Sequence, residues 1–152
     1  MSKLGWIVVA VLIAAGGAYV WQTTRPTPGP AAHSMTPPDT SDIEKGAAIV
    51  EVRLPAELSP QGEMGARAFK AKCAACHGAN AAGHEGKGPP LVHRIYEPGH
   101  HSDMAFVLAA KNGVRSHHWR FGNMPPVEGV TDADVKAIAA YVRELQKENG
   151  IF

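Results

Sequence analysis

The sequence predicts an all-α domain carried behind one N-terminal apolar helix and a proline-rich linker. Three observations predict it. Leu4–Trp21 is almost wholly apolar, and no charged residue occurs from Leu4 to Thr24. Prolines at positions 26, 28, 30, 37 and 38 follow among Thr, Ser, Ala and Gly. From Ser59 onward, apolar residues recur at helical spacing behind good capping residues. Strand-like alternation is confined to Ile49–Leu54, a short strand or an extended lead-in.

A helix of ~20 residues spans ~30 Å, about one hydrocarbon core. Trp6 at one end, and Tyr19 with Trp21 at the other, match the aromatic belts of a membrane interface. Residues 1–24 therefore read as a transmembrane anchor, with a cleaved signal peptide as the rival. Small residues Ala14, Gly16 and Ala18 would suit cleavage, but the n-region has a single lysine, Lys3. Both readings export the rest of the chain. Residues 25–46 read as a flexible linker, because such a composition buries no core and favours extended states. His33 and Met35 in it receive no role. The folded domain is expected over residues 47–152.

In that domain Ser59-Pro60 marks a helix start, cap then proline. The helix should run to Cys73 with Met64, Ala68 and Phe69 on its buried face. Gly65 inside it costs up to ~1 kcal/mol against alanine, which a close helix crossing would justify. Ser102-Asp103 can cap a second helix ending near Gly113, with Met104, Val107 and Leu108 on one face. Thr131 caps the last, in which Val135, Ile138, Ala139, Val142 and Leu145 share a face.

The stretch Cys73-Ala74-Ala75-Cys76-His77 carries the chemistry. Two cysteines, two spacers and a histidine form a c-type haem attachment site. Each thiol can add to one vinyl group of a porphyrin, and the histidine then lies under the iron as proximal ligand. A structural zinc site wants four ligands, and the chain has no other cysteine. A redox CxxC wants a βαβ context, which is missing. A net charge of +1 gives no argument for nucleic acid. At 7% aromatic content, a haem would supply much of the core.

Methionine sulfur is one choice of second axial ligand. Met64 and Met104 are expected in the core. Met124 lies in the loop Gly122-Asn123-Met124-Pro125-Pro126 with no helix face to fill, and is the candidate. His117 or His118 is the alternative.

Residues 60–147 resemble a class I, monohaem cytochrome c of membrane-anchored bacterial type. The resemblance rests on a helix ending in CAACH, then GPPL, then NMPP, then a final helix containing AIAAYV. It implies the class I fold, with first and last helices crossing and the haem in a loop-and-helix pocket. It implies one covalent haem c held by Cys73 and Cys76, with His77 and Met124 as the iron ligands. Pro89 would offer its carbonyl to His77, and Leu91 of the GPPL segment would line the haem. Gly65 and Phe69 would meet Ile138 and Tyr141. The segments Tyr96–His101 and Arg115–Phe121 depart from the common pattern.

Those segments hold the pairs His100-His101 and His117-His118. One reading is loop histidines bonded to a haem propionate, alongside Trp119 and Arg120. Another is a second metal site drawing one histidine from each pair. Adjacent residues point in different directions, and no sequence feature places the pairs within ligand distance, so copper or zinc is expected to bind weakly if at all. His84 and His93 are expected to face solvent.

The expected function is a one-electron carrier, not an enzyme, cycling Fe(III)/Fe(II). It would be tethered to the cytoplasmic membrane by a single pass, with the haem domain in the periplasm. Partners would be the membrane and redox proteins (an oxidase, reductase or dehydrogenase) met transiently, and no nucleic acid. The alternatives are a fixed subunit of a larger oxidoreductase, an enzymatic haem opened by loss of the Met124 bond, and a metal-binding protein using the histidines.

Overall fold

The structure, a computed structural model, describes residues 3–24 and 35–152. The chain divides into two units, Met1–His33 and Ser34–Phe152. The linker residues 25–34, His33 among them, lie outside the described residues. Among the described residues there are helices and isolated bridges but no strand.

The first unit contains α1, Lys3–Thr24. Its window Gly5–Gln22 has a mean hydropathy of 1.6 and is long and apolar enough to cross a membrane. Trp6, Tyr19 and Trp21 are all exposed on it.

The second unit is built from α2 (Pro60–Lys72), the single turn α3 (Ala74–His77), α4 (Asp103–Asn112) and α5 (Asp132–Glu148). Two 3₁₀ turns, Ala79–Ala81 and Arg94–Tyr96, lie between α3 and α4. The unit begins at Ser34, ahead of the boundary that composition places at Ala47. Polar ties hold the early residues rather than apolar periodicity: buried Thr40 accepts a hydrogen bond from Arg120 at 3.0 Å. Ile49–Leu54 is extended lead-in. Ile49 and Val50 donate to the Ala82 carbonyl, and Arg53 exchanges hydrogen bonds with the Asn149 side chain.

Ser59 caps α2 by accepting from Gly62 N–H, and Glu144 of α5 accepts from both the Ser59 hydroxyl and its backbone N–H. Gly62, Gly65 and Phe69, spaced by three and four, form the face of α2 that α5 covers. A Cβ on Gly65 would lie 1.9 Å from the Ala137 carbonyl oxygen and 2.9 Å from Tyr141 Cβ. Phe69 and Tyr141 rings pack with centroids 5.7 Å apart, and both share the core with Ile138, Val142 and Leu145. The crossing expected at Gly65 is therefore present. Gly65→Ala should destabilise the domain by about 2–3 kcal/mol: overpacking against backbone outweighs the ~1 kcal/mol gained in helix propensity. Denaturant unfolding of the haem-loaded protein measures it, and a gain in stability would mean that α2 and α5 can part without penalty.

Met64 is exposed, not core, because it sits one residue, about 100°, away from the Gly65 face. Met104, in the first turn of α4, is exposed as well, while Val107 and Ala110 are buried. Thr131 and Asp134 form a reciprocal capping box at the start of α5. The fully buried Gln146 is the polar exception on the core face of α5. Its Nε2 donates to the carbonyls of Leu91 (2.8 Å) and Tyr96 (3.0 Å). Arg143, one turn earlier, donates to Gln146 Oε1, to the Tyr96 and His101 carbonyls, and to Asp103. These two side chains fasten the segment 91–103 to α5.

Candidate functional site

The motif Cys73–His77 turns directly out of α2. Cys73 N–H closes α2 onto the Phe69 carbonyl at 2.8 Å, and the Cys73 carbonyl accepts from Cys76 and His77 N–H. Both cysteines are unpaired. Burial, with a smaller push from Cys76, raises the Cys73 thiol to about 11. That thiol is held protonated at neutral pH.

The His77 ring is held by a 2.9 Å hydrogen bond between Nδ1 and the Pro89 carbonyl. A carbonyl only accepts, so Nδ1 carries the proton and Nε2 keeps its lone pair. Burial lowers the His77 pKa, and the Pro89 bond opposes it. The ring is thus a neutral imidazole in the tautomer that ligates through Nε2.

Met124 arrives by a different route. Val114 and Met124 exchange backbone hydrogen bonds, both 2.9 Å, in an antiparallel bridge. Gly113 ends α4 at φ 75°, and a Cβ there would stand 2.6 Å from the Met124 carbonyl oxygen. The end of α4 and the methionine loop therefore close against each other. Cys73, Cys76, His77, Pro89, Leu91 and Met124 all line one cleft of about 740 Å³, within the ordinary range for a cofactor.

Two lining residues of this cleft suit a carboxylate-bearing porphyrin. Trp119 is buried, and its Nε1–H has no hydrogen-bond partner of good geometry, although the Tyr96 hydroxyl lies close enough to interact with it. Burial holds the Tyr96 phenol well above its usual range, so it stays a neutral donor. A propionate at these two groups would satisfy a buried N–H that is costly to leave orphaned. Phe121 stacks on Trp119, centroids 5.8 Å apart. Arg120, expected beside Trp119, is exposed, bonds Thr40, and is not part of the cleft wall.

The histidines also differ from expectation. His93 is half-buried, accepts from Ile95 N–H and meets Trp119 edge-on at 5.4 Å. His84 is half-buried with Nδ1 3.2 Å from the Ala75 carbonyl. His101, His117 and His118 line the cleft, whereas His100 does not. Sequence reasoning passed over Tyr96, Gln146 and Arg143. The available signal was Arg143 and Gln146, polar at i and i+3 on the otherwise apolar stripe of α5.

The cytochrome c family model matches residues 62–146, more than half of the chain. No curated protein matches it. The matched span runs from the capped start of α2, through the attachment turn and the methionine loop, to Gln146 of α5. With that span, the crossed helices and the cleft, the chain belongs to the cytochrome c family as a class I member, an electron-transfer protein whose cofactor is covalently bound haem c.

Proposed function

We propose that the protein is a membrane-tethered electron carrier working between redox proteins on the periplasmic face of the cytoplasmic membrane. The observation that carries the reading is the convergence of Cys73, Cys76, His77 and Met124 on one cleft. Cys73 and Cys76 would provide the two thioether links, and His77 Nε2 the proximal bond. The Pro89 carbonyl fixes the His77 ring, Met124 would be the distal ligand, and Leu91 is part of the apolar wall. Tyr96 and Trp119 would offer donors to a propionate. The bound haem supplies an iron that takes up and gives back one electron between Fe(III) and Fe(II). Methionine ligation and an apolar cleft raise the potential at which it does so. Encounters should bury less than ~1,200 Å², small enough for fast release.

Helix α1 supports the tether. The full chain is expected to sediment with membranes and to need detergent for release. A chain lacking residues 1–24, exported by a cleavable signal, should be soluble and carry haem. A native protein that is already soluble, with a new N-terminus after Ala18, would remove the anchor. Purification in mild detergent separates the free shuttle from the fixed subunit: a stoichiometric oxidoreductase partner that survives would assign the protein to that complex.

A further inference from the structure

Three histidines that the electron carrier does not require meet at the rim of the cleft. One nitrogen from each of His100, His101 and His118 lies within 4.8 Å of the other two. The Nε2 atoms of His100 and His118 are 3.3 Å apart. Two imidazole nitrogens bound at ~2.05 Å to one tetrahedral ion stand about 3.3 Å apart, so this pair already has the ligand spacing. Without a cation, one ring must donate its Nε2–H to the other. With one, both offer lone pairs.

The remaining ring is prepared in the same sense. His101 Nδ1 donates to the Ile95 carbonyl at 2.6 Å, which leaves its Nε2 lone pair available. A carbonyl behind the imidazole is the usual support of a metal-binding histidine. The His118 ring lies close enough to the Met35 backbone to interact with it. The supporting loops are fastened too. His100 and His101 N–H both bond the Glu97 carbonyl, and Arg143 bonds the His101 carbonyl. Ser116 ties the other loop through the Asn123 side chain and the Trp119 carbonyl. Adjacent histidines do point apart, but the rings of His100 and His101 turn edge to face at 4.7 Å, and His118 meets both.

A propionate partner would account for His101 or His118, which face the cleft. It would not account for His100, which lies outside the cleft wall yet faces His118. Three imidazole ligands with no thiolate and no carboxylate select a borderline ion rather than calcium or magnesium. We propose that His100, His101 and His118 form a three-imidazole site for a divalent transition-metal ion, Cu(II) or Zn(II), at the outer rim of the haem cleft. The sequence separation behind the expectation of weak binding is closed by the fold, which brings the Nε2 atoms of His100 and His118 to 3.3 Å.

The test uses the full haem-loaded chain in detergent, without a histidine tag and stripped by chelator. Zn(II) is titrated calorimetrically, and Cu(II) is followed by electron paramagnetic resonance. One equivalent should bind, with a nitrogen-coordinated copper signal. His100→Ala and His118→Ala should each weaken binding by at least tenfold, while His84→Ala leaves it unchanged. His100→Ala should keep the ferric haem spectrum of the parent, which shows that the fold persists. No stoichiometric binding, or equal affinity in the parent, His100→Ala and His118→Ala, would overturn the site.

Discussion

A chain with both Cys73 and Cys76 replaced by alanine is expected to retain no haem after acid–acetone extraction. His77→Ala is expected to fail at assembly as well. Both thiols leave one turn of backbone whose hydrogen bonds run from Phe69 to Gly78, so the two sulfurs are presented together. Loss of the covalent links should also cost stability. Leu108 is half-exposed on the cleft wall, and Val114 and Pro126 line the same wall. A leucine side chain left in water forgoes ~1.5–3 kcal/mol, and a small domain has little to offset it. Accumulated protein should therefore fall several-fold, read by immunoblot against the parent. Haem that survives extraction in the double variant would place the attachment elsewhere.

The helical skeleton was legible because its signals are local. Ser59-Pro60, Thr131 with Asp134, and the stripe Val135–Leu145 each declare an element within a few residues. The crossing at Gly65 was legible for the same reason: a glycine that lowers helix propensity demands a compensating contact. Two methionines were misplaced because helical spacing alone does not say which stripe is covered. Gly62 and Gly65 choose the face of α2, and Met64 lies off it.

The site divides along similar lines. The attachment motif and the methionine loop are compact words in the sequence. The histidine trio is not, since His100 and His118 are eighteen positions apart. Their meeting depends on Arg143 and Gln146 of α5 pulling the segment 91–103 inward, which is a tertiary arrangement without a local signature. The start of the folded unit was hidden for a related reason: a single buried threonine, Thr40, paired with Arg120 eighty positions later, leaves no periodicity to read.

Met124→Ala is expected to keep the haem attached while changing the ferric iron from low spin to a form lacking the sulfur-to-iron charge-transfer band. Its reduction potential should fall by something on the order of 0.1–0.2 V, a part of the ~0.8 V over which axial ligands set haem potentials. The backbone argues that the loop survives the change. Val114 and Met124 hold each other by two main-chain bonds, and Gly113 and Pro126 close around them, none of which uses the thioether. Only a side chain at the cleft wall is lost. His117 and His118 line the same cleft, so two outcomes are distinguishable. If Met124→Ala alters the spectrum and His118→Ala does not, sulfur is the distal ligand and His118 is free to serve the rim. If Met124→Ala leaves the ferric spectrum unchanged and His118→Ala alters it, the histidine is on the iron, the assignment of Met124 fails, and the three-imidazole site loses one of its members with it.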